Sequence, residues 1–145
     1  MRAPPEAVAG DERQLAWAAA GTLGAFNQAG VLALADVHVA RRLGALVGVE
    51  DEAVLLGLAL AVRAPRLGHV CVDITTASRT VSAADGTPAG TASLPWPPVG
   101  EWLARLHASP MVAVGDDGPT GRPLRLVGSL LYLDRYWHQE RRVAS

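Results

Sequence analysis

Three features of the sequence predict an α+β domain that is mainly helical. Val54–Val62 is apolar nearly all round, with the acidic run Glu50-Asp51-Glu52 before it and Pro65 after it. That is the pattern of a buried helix with punctuated ends. Upstream, the apolar residues of Ala33–Val47 recur at helical spacing and stop at Gly48, so two helices meet across a short acidic loop. The last third of the chain breaks into short apolar runs divided by Gly and Pro, as short strands do. The expected architecture is an antiparallel helix pair plus a further helix and a small antiparallel β-meander, ending in a helix.

Residues 1–24 read as an N-terminal tail with an uncertain first helix, and 25–145 as the domain. Met1–Gly10 contains Pro4-Pro5 and few large apolar side chains, which favours fraying. Asp11 can cap a helix to about Ala20, after which Gly21 and Gly24 loosen the chain. In the first helix of the pair, Leu34, Val37, Leu43, Leu46 and Val47 form the expected apolar side, while Asp36, Arg41 and Arg42 face water. Gly48 ends it, and negative charge at Glu50–Glu52 suits the start of the next helix. Pro65 closes the second helix by disfavouring helical angles at Ala64.

Gly68 opens a β-branched, partly alternating segment, His69-Val70-Cys71-Val72-Asp73-Ile74, expected to be extended. The stretch 75–98, rich in Ser, Thr, Gly, Ala and Pro, reads as a long loop. Val99–Ala108 is a helix with Trp102, Leu103 and Leu106 inward, stopped by Ser109-Pro110. Met111–Val114, Pro123–Val127 and Leu130–Leu133 are the meander strands, the first two joined by a hairpin loop at Gly115–Gly121. Asp134 stands where an N-cap would, and the helix after it has no Gly, Asn or Pro to close it, which suggests a chain cut short.

At 145 residues the chain is one domain's worth, with 50% apolar and 5% aromatic residues, so Ala, Val and Leu must build the core. All 13 basic residues are Arg, and the net charge of −1 argues against coating nucleic acid or an anionic membrane unaided. The single Cys71 cannot form an internal disulfide. The apolar run Ala53–Val62 is far short of the ~20 residues that span a bilayer. Acidic residues ahead of Leu15–Phe26 spoil a signal peptide, so a cytoplasmic protein without membrane contact is expected.

A phosphate-binding loop needs a lysine to reach the β- and γ-phosphates, and this chain has none. Gly115-Asp116-Asp117-Gly118-Pro119-Thr120-Gly121 would repel phosphate through its aspartates. No cofactor or metal site is therefore expected. His69 and Cys71 would share a strand face, but structural roles, His69 hydrogen-bonded and Cys71 buried, fit better than a nucleophilic pair. Glu50–Glu52 and Asp116-Asp117 read as helix-end and solvated loop charge. Among the four Trp, Trp102 and Trp137 sit at core spacing; Trp96 among prolines and Trp17 in the first helix are candidate partner anchors. Arg135, Arg141 and Arg142 form a basic face on the last helix.

Two blocks carry a resemblance. Tyr132-Leu133-Asp134-Arg135-Tyr136-Trp137, followed by Glu140 and Val143-Ala144, resembles the end of the N-terminal domain of RecD, the alpha subunit of exodeoxyribonuclease V. Gly68-His69-Val70-Cys71-Val72 is similar to that family's Gly-His-Val-Cys-Leu segment. The helix pair and the segment Trp102-Leu103…Leu106…Ser109-Pro110 occur in the family's order, so the resemblance runs from about Gly30 to Ala144. Arg66-Leu67 departs from the more acidic or Gly-containing approach common in the family, and the Ala-rich first segment has no aligned counterpart.

The resemblance implies a non-catalytic domain of an ATP-dependent DNA helicase subunit, with a motor domain beyond residue 145 that holds ATP and Mg. It implies docking onto a RecC-type subunit, with a RecB-type subunit in the same complex, and DNA reached mainly through that complex. Gly68, His69, Cys71, Tyr132, Tyr136, Trp137 and Glu140 carry the likeness as structural residues, while Trp17, Trp96, Arg135, Arg141 and Arg142 are candidate contacts. The alternatives are a stand-alone DNA-binding module using the Arg face and a small enzyme using His69 and Cys71.

Overall fold

The computed structural model describes residues 21–80, 94–115 and 121–138. The elements are α1 (Gly21–Gln28), α2 (Leu34–Val47), α3 (Glu52–Arg63), a 3-10 turn (Ala64–Leu67), β1 (Cys71–Asp73) and α4 (Ala77–Thr80). They continue as α5 (Val99–Ala108), β2 (Val112–Val114), β3 (Leu124–Val127) and β4 (Leu130–Leu133). A terminal helical segment then covers 134–138. The α+β, mainly helical class expected from the sequence is the one observed.

The central element is α3, and its buried run Val54–Ala61 accounts for its position. Asp51 caps it by accepting the Ala53 N–H at 2.9 Å. It packs against α1, α2, α5 and the sheet. Gly57 makes this convergence possible, because a Cβ there would come within 3.0 Å of Leu131 Cδ2 and 3.3 Å of Leu106 Cδ2. Trp102 of α5 is 1% exposed and donates its indole N–H to the Ala53 carbonyl at 2.8 Å. Glu52 ties three helices together, accepting the Thr22 N–H at 3.1 Å and pairing with Arg41 at 3.0 Å.

Several points differ from expectation. Gly21 and Gly24 do not loosen the chain but belong to α1, whose Leu23 and Phe26 are fully buried. The stretch 75–98 includes the helical turn α4, with Ala77 buried; residues 81–93 lie outside the described residues.

The third difference concerns α2. Its buried residues are Asp36, Val37, Ala40 and Gly44, whereas Leu46, expected inside, is 80% exposed. The helix has two adjoining apolar stripes, and the one with Ala40 and Gly44 faces α3. Close approach explains the choice, since a Cβ on Gly44 would stand 2.7 Å from Leu55 Cδ2 and 2.8 Å from the Val49 carbonyl. Arg41, expected to face water, is turned to Glu52 and keeps only 12% side-chain exposure.

The fourth concerns the sheet, which is mixed rather than an antiparallel meander. Its order is β1-β4-β3-β2, with β3–β4 and β1–β4 antiparallel but β2–β3 parallel. Residues 115–123 therefore connect parallel neighbours and are not a hairpin loop. Backbone bonds from Leu124 N–H to the Met111 carbonyl and from Gly115 N–H to the Leu126 carbonyl hold that register.

Asp36, expected at the surface, is 1% exposed and accepts the Ala33 N–H at 2.9 Å. Arg66 Nη2 donates to both its carboxylate oxygens, at 2.6 Å to Oδ1. Burial nevertheless raises its pKa above the ordinary 3.8, against the lowering effects of the Ala33 bond and of Arg66 and Arg63. Asp73 moves the opposite way, lowered chiefly by the Thr75 hydroxyl at 2.6 Å. A raised folded pKa means that the folded state holds the proton more tightly than the unfolded one. The stability due to neutral Asp36 is thus full below about 3.8 and lost as pH rises through the folded value. Carboxyl titration by NMR is expected to place the Asp36 midpoint above 3.8 and that of Asp73 below it. The reverse order would refute this account of the two sites.

Candidate partner-binding surface

The exposed stripe of α2 forms one wall of a groove of about 870 Å³. Val39, Leu43, Leu46 and Val47 supply that wall, with Val62 of α3 beside them. Val39 is 39% exposed and Val47 40%. The other wall is Gly121-Arg122-Pro123 together with Leu133, Asp134, Arg135 and His138. Large side chains at 39, 43 and 46 recur every three or four residues, so they share a side of the helix. Arg42 is exposed beside this stripe, three residues after Val39 and four before Leu46.

The second wall is fixed by Arg125, a charged residue that is 1% exposed in the middle of β3. Its Nε donates to Asp134 Oδ1 at 2.7 Å, and its Nη1 donates to the Gly115 carbonyl at 2.7 Å. Its guanidinium carbon lies 4.3 Å from the centre of the Trp137 ring, an arrangement that stacks the cation on the π face. Asp134 also holds His138 Nε2 at 3.2 Å. The carboxylate assigned to helix capping thus joins β3 to the terminal helical segment. Arg122 adds a bond from Nη1 to the Val112 carbonyl at 2.8 Å.

Arg125 had no role in the sequence reading beyond its place in a strand. Its signal was present: a lone charge inside Leu124-Arg125-Leu126, flanked by residues that both face the core. On a half-exposed sheet the middle residue would meet water. Here Trp137 covers it.

The two blocks that carried the resemblance are neighbours in space. Cys71 of β1 pairs with Tyr132 of β4, and Val72 with Leu131. Gly68 ends the 3-10 turn at φ 85°, a left-handed conformation suited to glycine. His69 is exposed, with its backbone N–H bonded to the Ala64 carbonyl at 3.0 Å, and it precedes β1 rather than lying on it. Cys71 is half-buried, not buried as expected, because Val72 takes the inward position of this three-residue strand. Tyr136 is half-buried and Trp137 7% exposed.

Among the candidate contacts, Arg135 is exposed, stacks on Tyr136 at 4.8 Å and lines the groove. Trp96 is half-buried, with its ring edge-on to Phe26 at 4.6 Å and 6.0 Å from Trp102, so much of its surface is turned inward. Trp17, Glu140, Arg141 and Arg142 lie outside the described residues, as do Asp116 and Asp117. Asp51 is paired with Arg105 at 2.9 Å, in keeping with helix-end electrostatics. Among the described residues, no group of three or more His, Cys, Asp or Glu could hold a metal ion. No described helix is long and apolar enough to cross a membrane.

Comparison with known proteins gives this surface its context. Residues 28–132 match the family described as RecBCD enzyme subunit RecD, N-terminal domain. The chain is 49% identical over 128 residues to the RecBCD enzyme subunit RecD of two strains of Mycobacterium tuberculosis, CDC 1551 / Oshkosh and H37Rv. It is 47% identical over 117 residues to that of Mycolicibacterium smegmatis. These alignments cover 88% and 79% of the chain but 20% and 18% of the relatives, so the chain spans about a fifth of their length. The chain belongs to the family of RecD N-terminal domains.

Proposed function

We propose that this chain is the non-catalytic N-terminal domain of a RecD-like exodeoxyribonuclease V alpha subunit and docks its helicase onto a RecC-type subunit. The full assembly, with a RecB-type subunit, processes double-strand breaks for recombinational repair in the cytoplasm. ATP and Mg act in a motor domain, not here, and DNA is reached mainly through the complex. The observation that carries this reading is Leu46, 80% exposed on a groove whose opposite wall is built from the family's own Leu133–Arg135 motif. An exposed large apolar side chain in such a setting marks a contact surface. Trp17, Trp96, Arg141 and Arg142 are further candidates for the same partner.

Co-expression with a RecC-type subunit tests the reading. The wild-type chain is expected to be retained by the tagged subunit, and Leu46→Asp to lower retention about tenfold, as burying an unpaired charge in an interface would. Because Leu46 is exposed, its thermal melt should stay within about 0.5 kcal/mol of wild type. A wild-type chain that never co-purifies would remove the docking reading.

A further inference from the structure

The groove is apolar along its floor and basic along its edges. From that combination we infer that it receives an amphipathic segment of a partner subunit, with acidic residues flanking an apolar stripe. This rests on the docking reading above and specifies the chemistry of the bound element. The apolar lining is Val39, Leu43, Leu46 and Leu133, the lining cations are Arg122 and Arg135, and Arg42 is exposed on α2 beside Val39 and Leu46. The carboxylate in the lining, Asp134, is already engaged by Arg125 and His138.

From Val39 to Val47 the stripe rises about 12 Å, the length of two helical turns. A partner helix with apolar residues at i, i+3 or i+4, and i+7 matches that length. Its flanking carboxylates would meet guanidinium groups that can bind them bidentately.

Other occupants fit less well. Nucleic acid would leave Leu46 and Val39 facing phosphate and sugar. A second copy in a two-fold contact would bring together two surfaces carrying the same exposed Arg42 and Arg135, with no matching acidic edge in the lining. The chain's own segment 139–145 contains Arg141 and Arg142 against one Glu140, so its charge matches the edges in sign.

The test uses two fluorescein-labelled model helices of about 14 residues, identical in their leucine stripe, one flanked by Glu and the other by Lys. Anisotropy titrations with the 145-residue chain are expected to show the Glu helix binding about tenfold tighter at low salt, with the preference shrinking as salt is raised. Arg42→Glu combined with Arg135→Glu should invert the preference, a gain for the Lys helix that unfolding cannot produce. Leu46→Ser should weaken both helices about tenfold without changing the melt.

Equal affinity for the two helices, or the same preference in the double variant, overturns the inference. Displacement of the Glu helix by an oligothymidine would assign the groove to nucleic acid instead. A concentration-dependent dimer abolished by Leu46→Ser would assign it to a second copy. A RecC-type subunit that binds wild type and these groove variants alike overturns this inference and leaves docking standing. If that subunit binds none of them, docking falls, and the helix preference alone decides the groove's chemistry.

Discussion

Arg125→Ala is expected to destabilise the domain by about 3–5 kcal/mol, among the largest effects available to a single substitution here. The side chain is 1% exposed and satisfies groups on two other segments: Asp134 at 2.7 Å and the Gly115 carbonyl at 2.7 Å. Removing it leaves a carboxylate with 14% side-chain exposure short of its partner and strips the cation from the Trp137 face. The loss of a buried partner, rather than the intrinsic worth of the ion pair, sets the size of the effect. Urea unfolding followed by tryptophan fluorescence measures it. Arg125→Met with Asp134→Leu should recover much of the loss, because the uncompensated charge is gone and the volume is kept. A single variant within about 1 kcal/mol of wild type would show that Arg125 does not hold this wall. The groove should suffer as well, since Asp134 and Arg135 follow the wall that Arg125 fixes.

Trp102→Ala is expected to cost about 3–5 kcal/mol, by the cavity a deleted indole leaves in a packed core. Trp102 is 1% exposed, bonded to the Ala53 carbonyl at 2.8 Å, and stands where α5 meets α3. Its indole nitrogen lies 3.6 Å from where a Gly57 Cβ would be, so the surrounding helices are already in close contact and cannot collapse far into the space. Trp102→Phe should cost about 1–3 kcal/mol, from the lost hydrogen bond and the smaller ring. Chemical denaturation of both variants separates the contributions. Equal losses for Ala and Phe would mean that the N–H bond, not volume, dominates.

Much of the helical layer was legible in the sequence. Gly48 and Asp51 punctuate the helix pair because each acts locally, through a left-handed cap at φ 86° and a side-chain cap at 2.9 Å. Pro65 does not act as expected: Ala64 keeps helical angles, φ −55° and ψ −47°, and the chain runs on as a 3-10 turn that Gly68 ends. The burial of Val54–Ala61 followed from a run with no polar face to turn outward. The motif at 132–137 was legible as a likeness, though not the reason for it. In this chain Arg125, nine residues before Asp134, is bonded to it.

The candidate groove was not legible. Periodicity assigns residues to the sides of a helix, yet α2 has apolar side chains on two sides, and spacing alone cannot choose between them. The tertiary structure chose the side with Ala40 and Gly44, because only small residues let α3 approach closely; Val39 and Leu46 were left exposed, and Leu43 is partly buried against the core. Strand direction was likewise beyond local reading: β2 lies parallel to β3 through pairing between Val112 and Leu124, a long-range contact on which neither strand's own residues bear. What the sequence determined by itself was the set of elements and where most of them stop, since caps, prolines and apolar runs act within a few residues. Which faces met, in what direction, and around which buried charge was decided by packing between segments far apart in the chain.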